Sequence, residues 1–525
     1  MFDAIVIGSG FGGAIMACRM AEAGMSVLVL ERGRRWNKNT FPRQPNDAWR
    51  WSHEEPERHN GWIDLRVFKN SFVSNMAVAQ GAGVGGGSLI YANISCEAPE
   101  SAFASGWPAA ISFALLKPHY DRVADMMDVR PLPEGQATDR FKLVKDAATA
   151  AGFSDRFTPL PLAVNFDPDW TYAKDFERGE AASVVKPNKH GAEQGTCVHL
   201  GTCDIGCAVN ARNTLDLNYL FVAETRHHAD IRPLHLVDRI EPRAGGGYDV
   251  HFDRLENNQK IPGVESGRIV IVAAGSLAST ELLLRNRDVH HTLPNLSAAL
   301  GHNWSSNGDF LTPTLYPKRD VNPSRGPTIT ASIDFEDGSV DGERFWIQDG
   351  GFPNLLLAYL DKKADDPSLG FKERTLLQAF KGLAQIADPA EHLMPWFAQG
   401  VDAGDGTLSL TPDGRLQMDW DATKSARVIN SIIAMHKRLA AKTGGIPLVP
   451  PTWSLFKDLV TPHPLGGCGM GETTATGVVD ADGKVFGHPG LYVADGAIVP
   501  RALGVNPTRT IAALAEHIAA GIVKH

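Results

Sequence analysis

Residues 2–32 read FDAIVIGSGFGGAIMACRMAEAGMSVLVLER, and this stretch decides the fold. Ala4, Ile5, Val6 and Ile7 form an apolar run suited to a buried parallel strand. The turn Gly8-Ser9-Gly10-Phe11-Gly12-Gly13 follows at once, then a helical segment over 14–23 ended by Gly24. A second apolar run over 27–30 leads to Glu31. Gly8 permits the tight turn, Gly10 lets the backbone approach a pyrophosphate, and Gly13 lets the helix lie close against the strand. The free N–H groups at the helix N-terminus suit phosphates. Glu31 stands 23 residues after Gly8, near the spacing of an acid that bonds a ribose hydroxyl. Strand, turn, helix, strand and acid together predict a dinucleotide site, with FAD and NAD both open at this point.

Length and composition set the frame. A chain of 525 residues holds about two to four domains' worth of core. Hydrophobic content of 43% with 21% charged residues fits a globular enzyme. The net charge of −9 provides no basic field for nucleic acid. No apolar run reaches the ~20 residues that a membrane span needs. With the first strand starting at Phe2 there is no room for a signal peptide, so the expected location is cytoplasmic, with peripheral membrane contact left open. The cysteines Cys18, Cys96, Cys197, Cys203, Cys207 and Cys468 are then expected as thiols rather than as a disulfide framework.

Farther along, residues 33–72 lack periodicity and read as an excursion over the surface or over a cofactor. Residues 80–93, QGAGVGGGSLIYAN, concentrate glycine where backbone can lie flat against a planar ligand. The segment 141–151 is helical in pattern, and 268–274 (RIVIVAA) is a buried strand followed by a helix over 278–285, which points to a doubly wound sheet built from separate segments. Between 310 and 455 the pattern changes. Residues 311–316, 328–335 and 408–410 resemble antiparallel strands, with Pro313 demoting the first to an edge; 376–386 and 426–443 resemble helices. Residues 491–496 return to strand and loop, and 510–522 form a closing helix.

Five blocks in this order resemble the glucose–methanol–choline (GMC) oxidoreductases, FAD flavoproteins, with the cholesterol-oxidase-like branch nearest: GSGFGG with Glu31; GAGVGGGSLIYAN; VIVAAGSLASTELLLR; HPLGGC at 463–468; and LYVADGAIVPRALGVNPTRTIAALAEHIA. The resemblance implies an α/β fold, α+β overall. A Rossmann-like FAD-binding domain would comprise 1–97, 191–309 and 461–525. A mostly antiparallel substrate-binding domain with cap segments would comprise 98–190 and 310–460. It implies that Gly8, Gly10, Phe11, Gly12, Gly13 and Glu31 hold the ADP end. Gly83, Gly86, Gly87 and Ser88 would run along the flavin and pyrophosphate, with Asn93 near the reactive face. Val237 would meet the adenine through its backbone, and Ala274, Asp495, Asn506, Pro507 and Thr508 would complete the FAD shell.

The implied chemistry removes two hydrogens from a CH–OH group, one as hydride to flavin N5 and one as a proton. A proton acceptor within hydrogen-bond reach is required, and histidine suits working pH. The resemblance assigns this to His463, with Asn506 as an amide that orients the oxygen but cannot act as a base. A bulky, sterol-like alcohol is favoured. A sugar or polyol dehydrogenase is the alternative, and a non-redox flavoprotein lyase or isomerase the alternative from another class. For double-bond isomerisation in a steroid ring a carboxylate is needed, and Asp349 and Glu343 are the candidates.

Cys197, Cys203 and Cys207 have the spacing C-x5-C-x3-C, against C-x2-C-x2-C-x3-C in bacterial ferredoxins, with Leu200 where a further cysteine would stand. The run suits a [3Fe-4S] cluster, reduced thiols in a tight turn, or a partial zinc site with His199. Some bacterial sugar dehydrogenases of this flavoprotein family resemble it here, with a three-cysteine run that holds such a cluster. A cluster implies an electron-accepting protein partner; its absence leaves open an oxidase with dioxygen reoxidising the flavin.

Overall fold

The apolar runs of the N-terminal segment become the middle of a seven-stranded sheet in the computed structural model, which describes residues 1–69, 75–355, 357–358, 362, 378, 381 and 388–524. Phe2–Ile7 pairs in parallel with Val27–Glu31 on one side and with the end of Gln259–Val272 on the other. Ile5, Val6, Leu28 and Val29 are fully buried, so neither strand alternates polar and apolar residues. Asp230–Pro233 extends the sheet beyond Val27–Glu31, and Leu491–Val493 lies parallel to residues 270–272. The two ends of the chain therefore meet in one sheet. The first half of Gln259–Val272 folds back on Tyr248–Glu256, which pairs with His235–Pro242. Between Val237 and Arg239 the register shifts, leaving Asp238 as the extra residue of a bulge.

Helix Phe11–Glu22 packs against Tyr219–His227 and Thr508–Ile522. The buried Glu516 ties all three, accepting from Arg19 Nη2 at 2.8 Å and from Tyr219 OH at 2.7 Å. Helix Phe113–Met126 packs on Thr508–Ile522.

A second sheet of six strands is antiparallel throughout, in the order Ile446–Pro447, Phe310–Leu315, Leu393–Gly400, Phe345–Gln348, Ala331–Asp334, Phe157–Pro159. One face carries Phe310, Ile333, Phe345, Ile347 and Trp396 into a core shared with helices Asp139–Ala151 and Ala426–Thr443. The opposite face carries Leu311, Pro395 and Phe397 to a cavity. Pro313 lies in a strand with neighbours on both sides, contrary to the expected edge. It stands opposite Pro395, and its carbonyl accepts from Leu448 N–H on the other side. The missing N–H therefore points away from Leu393–Gly400, toward the short strand Ile446–Pro447, and no bond of the longer ladder to Leu393–Gly400 is lost. Apart from residues 378 and 381, the segment 376–386 expected to be helical falls outside the described residues.

A third, four-stranded sheet gives the excursion its order. Met76–Gly81 pairs in parallel with Leu459–Thr461 and antiparallel with Ile63–Phe68, which pairs with Arg50–Trp51. Met76–Gly81 runs straight into the glycine loop, and Leu459–Thr461 ends two residues before His463. One small sheet thus sets both. Among the described residues, no helix is long and apolar enough to cross a membrane.

Candidate active site

A cavity of about 530 Å³ lies where the three sheets meet. Its lining includes, from the residues singled out in the sequence, Gly8, Gly10, Phe11, Gly12, Glu31, Gly86, Gly87, Val237, Ala274, His463, Asp495, Asn506, Pro507 and Thr508. The excursion closes one side with His53, Ile63 and Arg66. Burial pushes His53 down to about 4, so it is neutral there at physiological pH.

The glycines divide by what excludes a side chain. A Cβ on Gly12 would lie 1.5 Å from Ala494 O, one on Gly13 would lie 2.0 Å from Gly8 O, and one on Gly8, at φ +94°, would lie 2.5 Å from Ala273 O. Protein packing alone forbids these. A Cβ on Gly10 meets nothing closer than Gly86 Cα at 3.9 Å, so at this position the space belongs to the cavity. Helix Phe11–Glu22 has no side-chain cap and no acid in its first turn, which leaves its leading amides for an anionic ligand. The residues present fit a dinucleotide such as FAD. Glycine backbone and an uncapped helix end stand where a pyrophosphate needs donors, and the bulge at Asp238 exposes backbone at Val237.

The two acids predicted to touch the cofactor are first anchors of the protein. Glu31 Oε2 accepts from Ser9 N–H at 3.0 Å and Ser9 Oγ at 2.7 Å, and Oε1 accepts from Gly33 N–H at 2.8 Å. Burial pushes this carboxyl up, against the pull of those three bonds. Asp495 accepts from Gly275 N–H at 2.8 Å, Ser279 Oγ at 2.5 Å and Ala497 N–H at 2.8 Å, joining two strand ends.

Gly13, Gly83, Ser88 and Asn93 do not line the cavity. Gly83 backs onto the Trp36 ring. Ser88 Oγ donates to Gly85 O at 2.7 Å and accepts from Leu215 N–H at 3.1 Å, pinning the glycine loop from behind. Asn93, at φ +66°, is fully buried and its Oδ1 accepts from Arg212 Nε at 3.0 Å. Arg212 also donates to the carbonyls of Ser88, Leu89 and Cys203. Asn93, expected near the reactive face, is thereby clamped from behind by Arg212.

His463 and Asn506 share the cavity wall, each oriented by a buried partner that sequence reasoning missed. His463 Nδ1 faces both oxygens of Asp309, at 2.9 and 3.0 Å. Thr461 Oγ1 donates to Asp309 at 2.6 Å and accepts from His463 N–H at 2.8 Å. Burial pushes Asp309 up from its usual value, and His463 and Thr461 oppose that. With Nδ1 bonded to the carboxylate, Nε2 is the free acceptor. Gln348 Nε2 donates to Asn506 Oδ1 at 2.7 Å, which leaves Asn506 Nδ2 as a donor. An acceptor and a donor on one wall are what an alcohol hydroxyl requires.

Neither carboxylate named for isomerisation reaches this wall. Asp349 is fully buried and accepts from Thr330 N–H, Ala331 N–H, Thr330 Oγ and Arg140, while Glu343 pairs with Arg427 at 3.0 Å. The cavity acid near the antiparallel sheet is Asp204, which burial pushes up to about 6.

The cysteine run forms no single-ion site. Among the described residues, the His, Cys, Asp and Glu groups whose ligand atoms converge are Asp320, Glu391 and His392. Both ring nitrogens of His199, the residue paired with the run in the zinc alternative, are engaged elsewhere. Its Nδ1 bonds Tyr172 OH at 2.8 Å, its Nε2 bonds Gln136 Oε1 at 3.0 Å, and its ring stacks on Trp170 at 4.3 Å. Burial raises the thiols of Cys197 and Cys203 above their usual value.

Comparison with known proteins matches residues 2–303 and 373–515 to the N- and C-terminal family models described as GMC oxidoreductase. The chain is 29% identical over 546 residues to a cholesterol oxidase of Acinetobacter baumannii, covering 98% of this chain and 93% of that protein. It is 31% identical over 549 residues to a cholesterol oxidase of Mycobacterium tuberculosis, covering 99% and 90%. The crystal structure of a pyridoxine 4-oxidase from "Mesorbium loti" aligns over 100% of this chain and 99% of its own with a TM-score of 0.66; at 16% identity it speaks for the fold alone.

Proposed function

Since the chain belongs to the GMC oxidoreductase family, FAD-dependent alcohol oxidases and dehydrogenases, we propose that it oxidises the CH–OH group of a bulky, sterol-like alcohol, with dioxygen as acceptor. The observation that carries this reading is the pair on the cavity wall, with His463 Nε2 free to accept and Asn506 Nδ2 free to donate. Cholesterol oxidases among the relatives support the substrate class and the acceptor. Bound FAD would supply the two-electron acceptor for the carbinol hydride, held by Gly10, Gly86, Gly87 and the amides that open helix Phe11–Glu22. In this reading the FAD-binding part comprises 1–97, 191–309 and 461–525 and the substrate part 98–190 and 310–460.

The protein's own contribution is to the hydroxyl. Asn506 Nδ2 donates to the alcohol oxygen and holds it in line. His463 Nε2 takes the proton, and the imidazolium that forms is stabilised through Nδ1 by buried Asp309. Gln348 keeps Asn506 from turning its carbonyl to the substrate. Asp309→Asn keeps the shape but removes the charge, so alcohol-driven flavin reduction should slow about a hundredfold. Its pH profile should also shift, because the imidazolium loses its counter-ion. Asp309→Glu should recover part of the rate. An Asp309→Asn enzyme with wild-type rate and pH profile removes Asp309 from the proton step.

Direct reoxidation by dioxygen leaves no task for an iron–sulfur relay at Cys197, Cys203 and Cys207. The expected preparation is yellow, iron-free and fully active. Stoichiometric iron whose removal abolishes turnover with an external acceptor would replace dioxygen with a relay.

A further inference from the structure

The cavity wall built by the antiparallel sheet presents Leu311, Ile329, Gly350, Pro395 and Phe397, an apolar surface. Asp204 and Thr328 interrupt it side by side. Thr328 is 5% exposed, and its hydroxyl faces the Asp204 carboxyl and has no partner of ordinary hydrogen-bond geometry. Its carbonyl is fixed by Arg140 Nη1 at 2.7 Å, so the side chain is held in place rather than mobile. Asp204 belongs to the short turn Cys203–Ile205, which Arg212 grips through the Cys203 carbonyl.

Two cations lie near Asp204, and both are engaged elsewhere. Arg212 is bonded to Ser88, Leu89, Cys203 and Asn93. Arg140 is bonded to Asp349 and to the carbonyls of Arg325, Pro327, Thr328 and Gly350. Neither Asp204 nor Thr328 takes part in the proton step. Polar groups buried on a cavity wall are normally hydrogen-bonded, and a polar pair with spare bonding capacity on an otherwise apolar wall fixes the orientation of a ligand.

We propose that Asp204 and Thr328 form a second polar contact for the substrate, recognising a hydrogen-bond donor remote from the carbinol that is oxidised. The donor is a hydroxyl or an ammonium group. The proposal rests on the alcohol-oxidase reading above and narrows it to bifunctional alcohols. A cavity that bonds a substrate donor discriminates against the analogue that lacks it, because its own polar groups then stay unpaired.

The test uses the FAD-loaded enzyme and three matched probes: a sterol with one hydroxyl, the same skeleton with a second hydroxyl at its far end, and the same skeleton with an amine there. Anaerobic flavin reduction gives kcat/KM for each. The wild type should prefer one of the bifunctional probes by roughly tenfold or more over the monohydroxy sterol. Asp204→Ala should collapse that preference, and Thr328→Val should reduce it. The amine arm separates ammonium from hydroxyl recognition. A wild type that treats all three alike, or a preference unchanged in both variants, overturns the proposal. If no probe and no other alcohol bleaches the wild-type flavin, the alcohol-oxidase reading itself fails, a different outcome from lost discrimination. Should Asp204→Ala not fold, Thr328→Val decides alone, since it removes only a hydroxyl.

Discussion

His463→Ala should purify with its FAD and lose roughly 10²–10⁴-fold in the rate at which an alcohol bleaches the flavin. The cofactor is retained because His463 stands just past the end of Leu459–Thr461, outside the glycine turns assigned to the pyrophosphate. The rate falls because nothing else on that wall can replace it. Asn506 Nδ2 is a donor only, and Asp309 is 1% exposed behind the imidazole. Removing the ring also leaves the buried Asp309 carboxylate without its Nδ1 partner, a cost that falls on stability rather than on flavin binding. A variant that reduces its flavin at close to the wild-type rate takes the proton step away from His463.

Gly10→Val should give folded protein with FAD occupancy near zero. Gly10 has φ −70°, an ordinary conformation for any residue, and its Cβ direction is open to 3.9 Å. The penalty therefore arises only from filling the space where the backbone must approach the pyrophosphate. Gly12 is the control. Its Cβ would lie 1.5 Å from Ala494 O, so Gly12→Ala should damage folding itself. Circular dichroism and the ratio of flavin to protein absorbance separate the two failures. A Gly10→Val protein carrying a full complement of FAD contradicts the assignment.

The nucleotide half of the fold was legible because its signals are local. The glycine turn, the flanking apolar runs and Glu31 all lie within one 30-residue unit whose hydrogen bonds close on themselves. What escaped is what depends on distant partners. Asp309 meets His463 across 154 residues, and Gln348 meets Asn506 across 158, so no spacing announces either. Asp309 follows an ordinary Asn-Gly turn, and Gln348 ends a strand that reads as core. Pro118 hides helix Phe113–Met126, because a proline inside a helical pattern normally ends it. Pro313 misled in the opposite direction, since a proline is harmless in an inner strand when its nitrogen faces away from the ladder. Glu31 and Asp495 were recognised as site acids, but sequence could not show that protein amides already occupy their oxygens. The cysteine spacing was the least informative motif, because His199 proved to be engaged by Tyr172, Gln136 and Trp170.

The most direct measurement mixes the FAD-loaded enzyme anaerobically with a sterol alcohol and follows the flavin absorbance. Rapid bleaching with one ketone formed per flavin, reversed on admitting air with release of hydrogen peroxide, is the predicted result. A flavin that dithionite reduces but that no sterol or other alcohol bleaches would contradict it.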